Sequence, residues 1–332
     1  MRICYLHSDY VSYRVAALAN MECLRLLGHE VADDARFLSG ADLAVVHGDP
    51  VMFTALLGRC PGLRDMRVIA YCVWEGDKLP RIFADSLGQA SEIWTCSHYS
   101  QRAFQEYFPR TAVVPHVVRR RPLAQALLDE ARERVGGVAP DDFLFFSIVD
   151  AINPRKNIRD LLFAFSRVRE RCARKVRLIL KQYRVEMDFS SLEGVCGIGG
   201  ELEDAQIAAL HAISHAYVSA HHAEGWGLGL SEAMAFGKPV IATGYSGNME
   251  FMNERNSLPV PYILGPVSEE MFLRLPWFSP GMLWADIDKE ALIRAMERVA
   301  MGRCDPGICL RAAEITRTFS PGAVAETMRA LL

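Results

Sequence analysis

The stretch AYVSAHHAEGWGLGLSEAMAFGKPVIA, residues 216–242, decides the fold. Its opening apolar run predicts a strand over 216–220, its glycines precede a helix predicted over 228–236, and its closing apolar run predicts a strand over 239–242. A strand, a helix and a second strand in this order form a βαβ unit, which belongs to a parallel sheet. The stretch therefore predicts an α/β fold.

The same alternation of apolar runs and helical segments continues through the rest of the chain. It predicts strands over 2–6, 43–46, 67–71, 92–95, 111–114, 143–149 and 176–181, and helices over 12–27, 158–172 and 204–213. From Pro280 onward the pattern predicts helices only, among them 289–300 and 321–332. Repeated units of this kind are typical of parallel-sheet domains with helices on both faces.

Length supports two domains, because a typical domain uses about 150 residues and the chain has 332. We predict a first domain over 1–120, a linker over 121–141, a second domain over 142–318 and a terminal helix over 319–332 that packs back on the first domain. Within the linker, Pro122 is predicted to open a helix at its first position and Gly136-Gly137 to end it.

Composition and charge exclude several classes of protein. With 51% hydrophobic and 23% charged residues the chain can bury a large core, so it is not a disordered protein. A formal net charge of -3 removes the electrostatic argument for a nucleic-acid partner. The first residues, MRICYLHSDY, do not have the pattern of a secretory signal. None of the nine cysteines forms a C-x-x-C pair, so we expect free thiols in a reducing compartment.

The turn that opens the helix at 228–236 has the chemistry of a phosphate site. Gly227 and Gly229 let the backbone approach a ligand without interference from a Cβ, and the free amides of a helix N-terminus attract an anion. Glu224 before the helix and Glu232 about two turns into it can each accept a hydrogen bond from a hydroxyl group. A phosphate site between two such acceptors suits a nucleotide sugar.

The same stretch resembles the family 4 retaining glycosyltransferases of GT-B fold, which have two Rossmann-like domains facing a cleft. Their motif E-G-F-G-L-x-x-x-E-A-M-A-x-G-x-P-V-I-A matches from Glu224 onward, with Trp226 in place of the commoner Phe. The resemblance implies that Glu224 binds the donor sugar and that Glu232 binds the nucleotide ribose. The other donor-binding positions it implies are Gly225, Trp226, Gly227, Leu228 and Gly229, with the amides of 227–229 on the diphosphate. The alternative is a tightly packed βαβ turn with two solvated glutamates.

A second candidate loop, 150–157, follows the strand 143–149 and opens the next helix. Arg155 and Lys156 in this loop are expected to face the same cleft, where they can neutralise the charge that builds on a leaving diphosphate. The family has an Arg and a Lys in this loop. Lys156 matches the position of that Lys, whereas Arg155 is displaced from that of the Arg. With Glu224 they are the predicted catalytic residues, and the alternative is a solvated basic turn.

A third candidate loop, 243–251, resembles the G-x-S-G-N loop of family members that assemble polysaccharide and lipopolysaccharide. Ser246, Gly247 and Asn248 are predicted to bind the phosphates or the sugar, and the alternative is that Ser246 and Asn248 cap the helix that follows. Lys181 lies at the carboxyl end of the strand 176–181, where open α/β sheets bind ligands. It is predicted to approach the nucleotide.

The first domain has fewer recognisable signals. The turn after its first strand, His7-Ser8-Asp9-Tyr10, lacks the glycine that family members often have there. Four residues are candidates for the acceptor side: Trp74 to stack on a sugar, Glu75 to orient an acceptor hydroxyl, and the histidines His98 and His116. The structural alternatives are a Trp packed at the domain edge, a surface histidine and a hinge histidine.

Two further patterns do not predict a metal site. His211 and His215 are four residues apart, but His215 falls at the end of the predicted helix. Asp286-Ile287-Asp288 is a D-x-D sequence, but Asp288 is better interpreted as the N-cap of a helix. We therefore expect neither a metal nor another cofactor. A basic run at 167–175 suits an anionic membrane surface or, alternatively, the solvated face of a helix.

These observations lead us to expect a retaining hexosyltransferase. It would move a hexosyl group, with mannosyl as the first candidate, from a UDP- or GDP-sugar to a glycan, lipid-linked or small-molecule acceptor. The donor would bind mainly to the second domain and the acceptor mainly to the first. The alternatives are a sugar-nucleotide epimerase or hydrolase of similar fold and a non-catalytic partner subunit. We expect a cytoplasmic protein, with peripheral contact at the inner face of the membrane as an option.

Overall fold

Two parallel sheets organise the chain, and a computed structural model describes residues 1–136 and 138–332. The first sheet has the strand order β2-β1-β3-β4-β5-β6, with every pair parallel. Its strands are β1 Arg2–His7, β2 Glu30–Ala32, β3 Leu43–His47, β4 Val68–Tyr71, β5 Glu92–Thr95 and β6 Thr111–Val113, and its helices are α1 Val11–Leu26, α2 Pro50–Arg59, α3 Arg81–Leu87 and α4 His98–Gln105. All residues of β3 and β4 are buried, as expected for central strands covered on both faces.

The second sheet has the strand order β12-β11-β10-β7-β8-β9, again with parallel pairs. Helix α5 Gln125–Val135 precedes it, followed by β7 Phe143–Val149, α6 Ile158–Arg171, β8 Val176–Gln182, β9 Val195–Ile198, α7 Asp204–Ile213, β10 Ala216–Ser219, α8 Leu228–Ala235, β11 Val240–Thr243 and β12 Leu258–Val260. The α/β prediction is therefore confirmed, and β5, β7 and α7 have the predicted bounds.

The remainder of the chain contains one antiparallel pair of strands and several helices: β13 Tyr262–Pro266, α9 Glu269–Arg274, β14 Leu283–Ile287, α10 Lys289–Ala300, α11 Ile308–Ala313, α12 Ile315–Thr318 and α13 Pro321–Arg329. The prediction of helices only after Pro280 is wrong, because β14 pairs with β13. Trp284 and Ala285 of β14 are buried. Such a short strand depends on a partner about twenty residues away, which local periodicity does not reveal.

The predicted start of the linker helix is also wrong. Helix α5 begins at Gln125, with Ala124 as its N-cap, so Pro122 precedes the helix instead of opening it. Gly136 follows the last helical residue with φ 62°, a positive value that glycine adopts without steric strain. Gly137, the second glycine of the predicted stop, lies outside the described residues.

Within the described residues, the contacts between the two domains include three regions. The last helix, α13, packs against α1 of the first domain, and Val118 N donates to Phe319 O at 2.8 Å. Phe278, between α9 and β14, stacks near Trp74 of the first domain with ring centroids 4.8 Å apart. The third region is formed by loops at the carboxyl ends of the two sheets. There, Ser97 Oγ donates to Gly225 O at 2.6 Å.

All nine cysteines are free thiols. None of the helices in the described parts of the chain combines the length and the apolarity that crossing a bilayer requires.

Candidate functional site

Three charged side chains meet at the carboxyl ends of β7 and β10, which are neighbours in the second sheet. Lys156 Nζ lies 2.6 Å from Glu224 Oε1, and Arg155 Nη1 lies 3.1 Å from Glu224 Oε2. Arg155 Nη1 also donates to the backbone oxygen of Ala223 at 2.6 Å. The structure therefore brings the three predicted catalytic residues into one cluster.

Burial and charge act in opposite directions on this cluster. Burial by itself would raise the pKa of Glu224, but the charges of Lys156 and Arg155 outweigh it and hold that pKa well below its ordinary value. Burial would also lower the pKa of Arg155, yet the carboxylates of Glu75 and Glu224 raise it instead. Glu224 is thus ionised at neutral pH, and it can accept hydrogen bonds but cannot donate a proton.

The loop between β7 and α6 takes its shape from a short 3-10 turn at Pro154–Lys156. Asn153 Oδ1 accepts a hydrogen bond from Arg155 N at 3.2 Å. Asn157 follows in the left-handed region, at φ 48°, and its side chain caps α6 by accepting from Asp160 N. Asn adopts this conformation more readily than most residues do. The local sequence thus determines the backbone positions from which the side chains of Arg155 and Lys156 extend.

Helix α8 begins beside this cluster. Gly227 has φ 95°, a left-handed conformation that glycine adopts without steric strain. Leu228 is the first helical residue, and Gly229 in the same turn lies against the hydroxyl group of Tyr217. The amides of a first helical turn have no intrahelical partners, and the helix dipole adds positive potential there. This turn, close to Glu224 in sequence, therefore offers the donors that a phosphate group needs.

The loop after β11 is bonded to the loop that carries Glu224. Glu224 N donates to Ser246 Oγ at 2.7 Å, and Gly247 N donates to Glu224 O at 2.8 Å. Ser246 has φ 76° and ψ -149°, a strained conformation for a residue with a side chain. Asn248 is fully buried, and its Nδ2 donates to Thr243 O at 3.0 Å. The capping alternative is wrong for Ser246 and Asn248, because Ser246 Oγ bonds to the loop that carries Glu224 and Asn248 bonds to Thr243 O and His221.

A buried histidine that the sequence analysis missed completes this support. His221 Nε2 lies 3.1 Å from Asn248 Oδ1, and His221 Nδ1 lies 3.0 Å from Ser219 Oγ. Burial outweighs the opposing charge of Glu224 and lowers the pKa of His221 to about 4, so the ring is neutral at pH 7. Because Asn248 Oδ1 accepts, Nε2 carries the proton. The sequence signal that could have identified His221 is its position, as a polar residue between a buried strand and a glycine-rich turn.

Glu232 lies on the second turn of α8 with its side chain 40% exposed. Its Oε2 is 3.3 Å from His211 Nε2, and His211 itself is buried on α7. His211 thus contacts the carboxylate of Glu232 from the neighbouring helix. In the sequence, His211 was considered for a different role, that of a metal ligand, because it lies four residues before His215.

The other side chains considered for a metal have different partners. His215 Nδ1 accepts a hydrogen bond from Leu144 N at 3.0 Å. Asp288 caps α10 by accepting from Ala291 N at 2.9 Å, in agreement with its interpretation as an N-cap. Within residues 1–136 and 138–332, no group of three His, Cys, Asp or Glu side chains could hold a metal ion.

Two predicted donor residues direct their side chains into the protein. Lys181, at the carboxyl end of β8, is fully buried, and its Nζ donates to the backbone oxygens of Gln182 and Gly200. The ring of Trp226 is 2% exposed and packs among the rings of His116, Phe251 and Phe319. Both side chains are therefore buried, Lys181 against backbone oxygens and Trp226 against other rings.

Two acceptor-side predictions are contradicted by burial. The ring of Trp74 is 3% exposed, packs on Phe83 and Phe278, and donates through Nε1 to Lys78 O, so it cannot stack on a sugar. His116 is buried beside Tyr71, and burial lowers its pKa to about 4. The ring of Trp74 belongs to a hydrophobic cluster that joins the first sheet to residues around α9 and β14.

The other two acceptor-side candidates contact the second domain. Glu75 Oε1 lies 3.2 Å from Arg155 Nη2. His98 is exposed, and its backbone N and ring Nδ1 both bond to the carboxylate of Glu250, at 2.9 and 2.8 Å. Ser97, the N-cap of α4, also donates to Gly225 O. The first domain therefore contacts the loops after β7, β10 and β11 through Glu75, Ser97 and His98.

Comparison with models of known protein families gives a match over one segment of the chain. Residues 129–260 match the family described as glycosyl transferases group 1. This segment extends from α5 to β12 and includes all the second-domain loops described above. No curated protein sequence matches the chain.

Solved structures share the whole architecture. Anabaena Alr3699/HepE in complex with UDP and glucose has a TM-score of 0.66 at 16% identity, over 100% of this chain and 99% of that one. The lipopolysaccharide outer core galactosyltransferase WaaB, in its apo form, has a TM-score of 0.61 at 11% identity, over 99% and 98%. The pneumococcal O-GlcNAc transferase GtfA, in complex with UDP and GlcNAc, has a TM-score of 0.59 at 12% identity, over 96% and 59%. The GT-B fold is thereby confirmed.

Proposed function

We propose that the chain is a retaining glycosyltransferase that moves a hexosyl group from a nucleotide-diphosphate sugar to a glycan, lipid-linked or small-molecule acceptor. One observation carries the proposal: Arg155 and Lys156 converge on Glu224 beside the first turn of α8. Two cations and a helix N-terminus suit a diphosphate, and an ionised carboxylate next to them suits the hydroxyl groups of a sugar.

The proposed chemistry is dominated by charge stabilisation. When the bond between the sugar and the diphosphate breaks, positive charge develops on the anomeric carbon and negative charge on the phosphate oxygens. Lys156, Arg155 and the amides of 227–229 stabilise the negative charge from fixed positions, which lowers the barrier without a metal ion. The acceptor hydroxyl attacks from the leaving-group face and passes its proton to a phosphate oxygen, so the configuration is retained. Glu224 accepts hydrogen bonds from the sugar and is not the nucleophile.

The two domains would divide the substrates. The donor binds to the loops after β7, β10 and β11, with Glu232 on the ribose, and the acceptor enters from the first-domain side. HepE is described with UDP and glucose and GtfA with UDP and GlcNAc, which makes UDP-hexoses the first donors to test. GDP-mannose is the second, because the G-x-S-G-N resemblance suggested a mannosyl donor.

The central test is a donor screen followed by a transfer assay. A panel of UDP- and GDP-sugars is scored by the rise in melting temperature, and nucleotide release is then measured with and without candidate acceptors. Lys156→Ala and Glu224→Ala are each expected to lower transfer by about 100-fold or more, since each removes a group that acts on the transition state. Lys175→Ala is the control, because Lys175 is exposed and lies near the amino end of β8.

The outcomes separate the competing functions. Retention is confirmed if proton NMR shows the donor's anomeric configuration in the first product formed. Nucleotide release that is independent of acceptor would indicate a hydrolase or epimerase instead. A chain that binds no nucleotide sugar would fit the non-catalytic partner subunit and refute the proposal. Activity that disappears with EDTA and returns with Mg²⁺ would refute the metal-independent mechanism.

A further inference from the structure

Glu75 is a first-domain carboxylate that reaches into the donor site. It follows β4, and the hydroxyls of two α4 residues hold the backbone around it: Tyr99 OH donates to Glu75 O at 3.3 Å and Ser100 Oγ donates to Trp74 O at 2.6 Å. From this anchored position Glu75 Oε1 lies 3.2 Å from Arg155 Nη2. The contact joins the two domains across the proposed diphosphate site.

The charges of the site balance without a ligand. Two cations, Arg155 and Lys156, face two carboxylates, Glu75 and Glu224. A diphosphate adds negative charge to this group, so it binds well only if one carboxylate gives up its cation. The protein's own carboxylates and the diphosphate therefore compete for the same two cations.

Burial decides which carboxylate can leave. The side chain of Glu224 is 10% exposed and contacts both cations, so moving it would leave buried charges without partners. The side chain of Glu75 is 30% exposed and pairs with Arg155. It can turn toward water at a lower energetic cost. Asp49 lies near enough for its charge to interact with Glu75, which adds repulsion on the first-domain side.

We propose that Glu75 occupies Arg155 in place of the donor's diphosphate and releases it when the donor binds. The inference rests on the proposed function, because the displacing ligand is a nucleoside diphosphate group. Glu75 then lowers the affinity of the free protein for its donor. It sets donor affinity from the domain that does not bind the nucleotide.

Isothermal titration with UDP and GDP tests this role. Glu75→Gln keeps the size of the side chain and removes its charge, and we expect the dissociation constant of the nucleotide that binds to fall about two- to fivefold, the range of a partly exposed ion pair. Glu75→Asp withdraws the carboxylate by one methylene and should give a smaller decrease. The matched control is Glu250→Gln, because Glu250 pairs with His98 across the same domain boundary. It should not tighten binding.

The results distinguish the two proposals. A dissociation constant that is unchanged or higher in both Glu75→Gln and Glu75→Asp would overturn the competition, while leaving the glycosyltransferase proposal intact if the wild-type protein binds the nucleotide. Tightening of equal size in Glu250→Gln would also overturn it, because the effect would then come from a loosened domain boundary. If the wild-type protein and all variants bind neither nucleotide, the proposed function and this inference both fail. Melting temperatures establish that each variant is folded.

Discussion

Gly225 lies where the donor loop touches the first domain, and its replacement by Ala has a calculable effect. Its backbone oxygen accepts hydrogen bonds from Ser97 Oγ at 2.6 Å and from Cys96 Sγ at 3.3 Å. A Cβ on Gly225 would lie 2.2 Å from Val73 Cγ1, whereas ordinary contacts begin at 3.4 Å. The position has no positive φ, so the problem is space and not backbone conformation.

The overlap sets the size of the effect. The two surfaces must separate by at least 1.2 Å, the difference between 3.4 and 2.2 Å. Overpacking of this kind costs about 1–3 kcal/mol, which corresponds to roughly a 5- to 150-fold change in an equilibrium. Because Val73 and Gly225 belong to different domains, the strain is released when the domains separate. We therefore expect Gly225→Ala to favour an open form with a modest change in melting temperature.

Two measurements check this expectation. Small-angle X-ray scattering should show a larger radius of gyration, and kcat/KM for transfer should fall by about the same factor as the closed population. Val73→Ala in the Gly225→Ala background removes the atom that clashes and should restore both quantities toward the values of Val73→Ala alone. Gly62→Ala is the control, because no atom lies within 4 Å of its Cβ position. It should leave both quantities unchanged.

The double variant also provides the refuting result. If Gly225→Ala with Val73→Ala remains as inactive and as extended as Gly225→Ala, the clash with Val73 is not the cause. If activity alone fails to recover, the added methyl group interferes with the donor.

Two further predictions concern stability. Burial lowers the pKa of His116 from 6.5 to about 4, so the unfolded chain binds a proton between these values that the native chain does not. The contribution of His116 to the unfolding free energy should therefore fall by about 2–3 kcal/mol between pH 7 and pH 4.5, in addition to a similar loss from His221. His116→Phe should reduce the total loss by about that amount in urea titrations; an identical loss in both proteins would contradict the reasoning. Asn248→Ala leaves His221 Nε2 and Thr243 O without partners and should lower the unfolding free energy by about 2–3 kcal/mol, whereas unchanged stability would indicate a residue reserved for ligand binding.

The sequence prediction agrees with the structure where an element is stabilised by interactions between residues close in the chain, and it fails where the partners are far apart in the chain. β5 and α7 are recovered to the residue because apolar periodicity and caps are local properties of the chain. The strands that the sequence analysis missed are short, and β2 has three residues at a sheet edge. Their stability comes from a neighbouring strand, not from their own composition.

The candidate site shows the same division. The motif residues Glu224 and Lys156 could be identified because the glycine turn and the cations before α6 are local patterns with definite chemistry. The direction of a large side chain could not be identified in this way. Trp74 and Trp226 are tryptophans, a residue type that can stack on sugars, but both rings lie in hydrophobic clusters built from distant segments.

The amino-acid sequence alone predicts the parallel α/β domains and the glycine turn that opens α8, since periodicity, glycines and helix starts act over a few residues. The tertiary structure alone decided that Glu75 pairs with Arg155, that His211 holds Glu232, and that Gly225 touches Val73. Each of these pairs joins residues far apart in the chain. They meet because burial of apolar surface brings the helices, sheets and domains together, and no local pattern encodes that meeting.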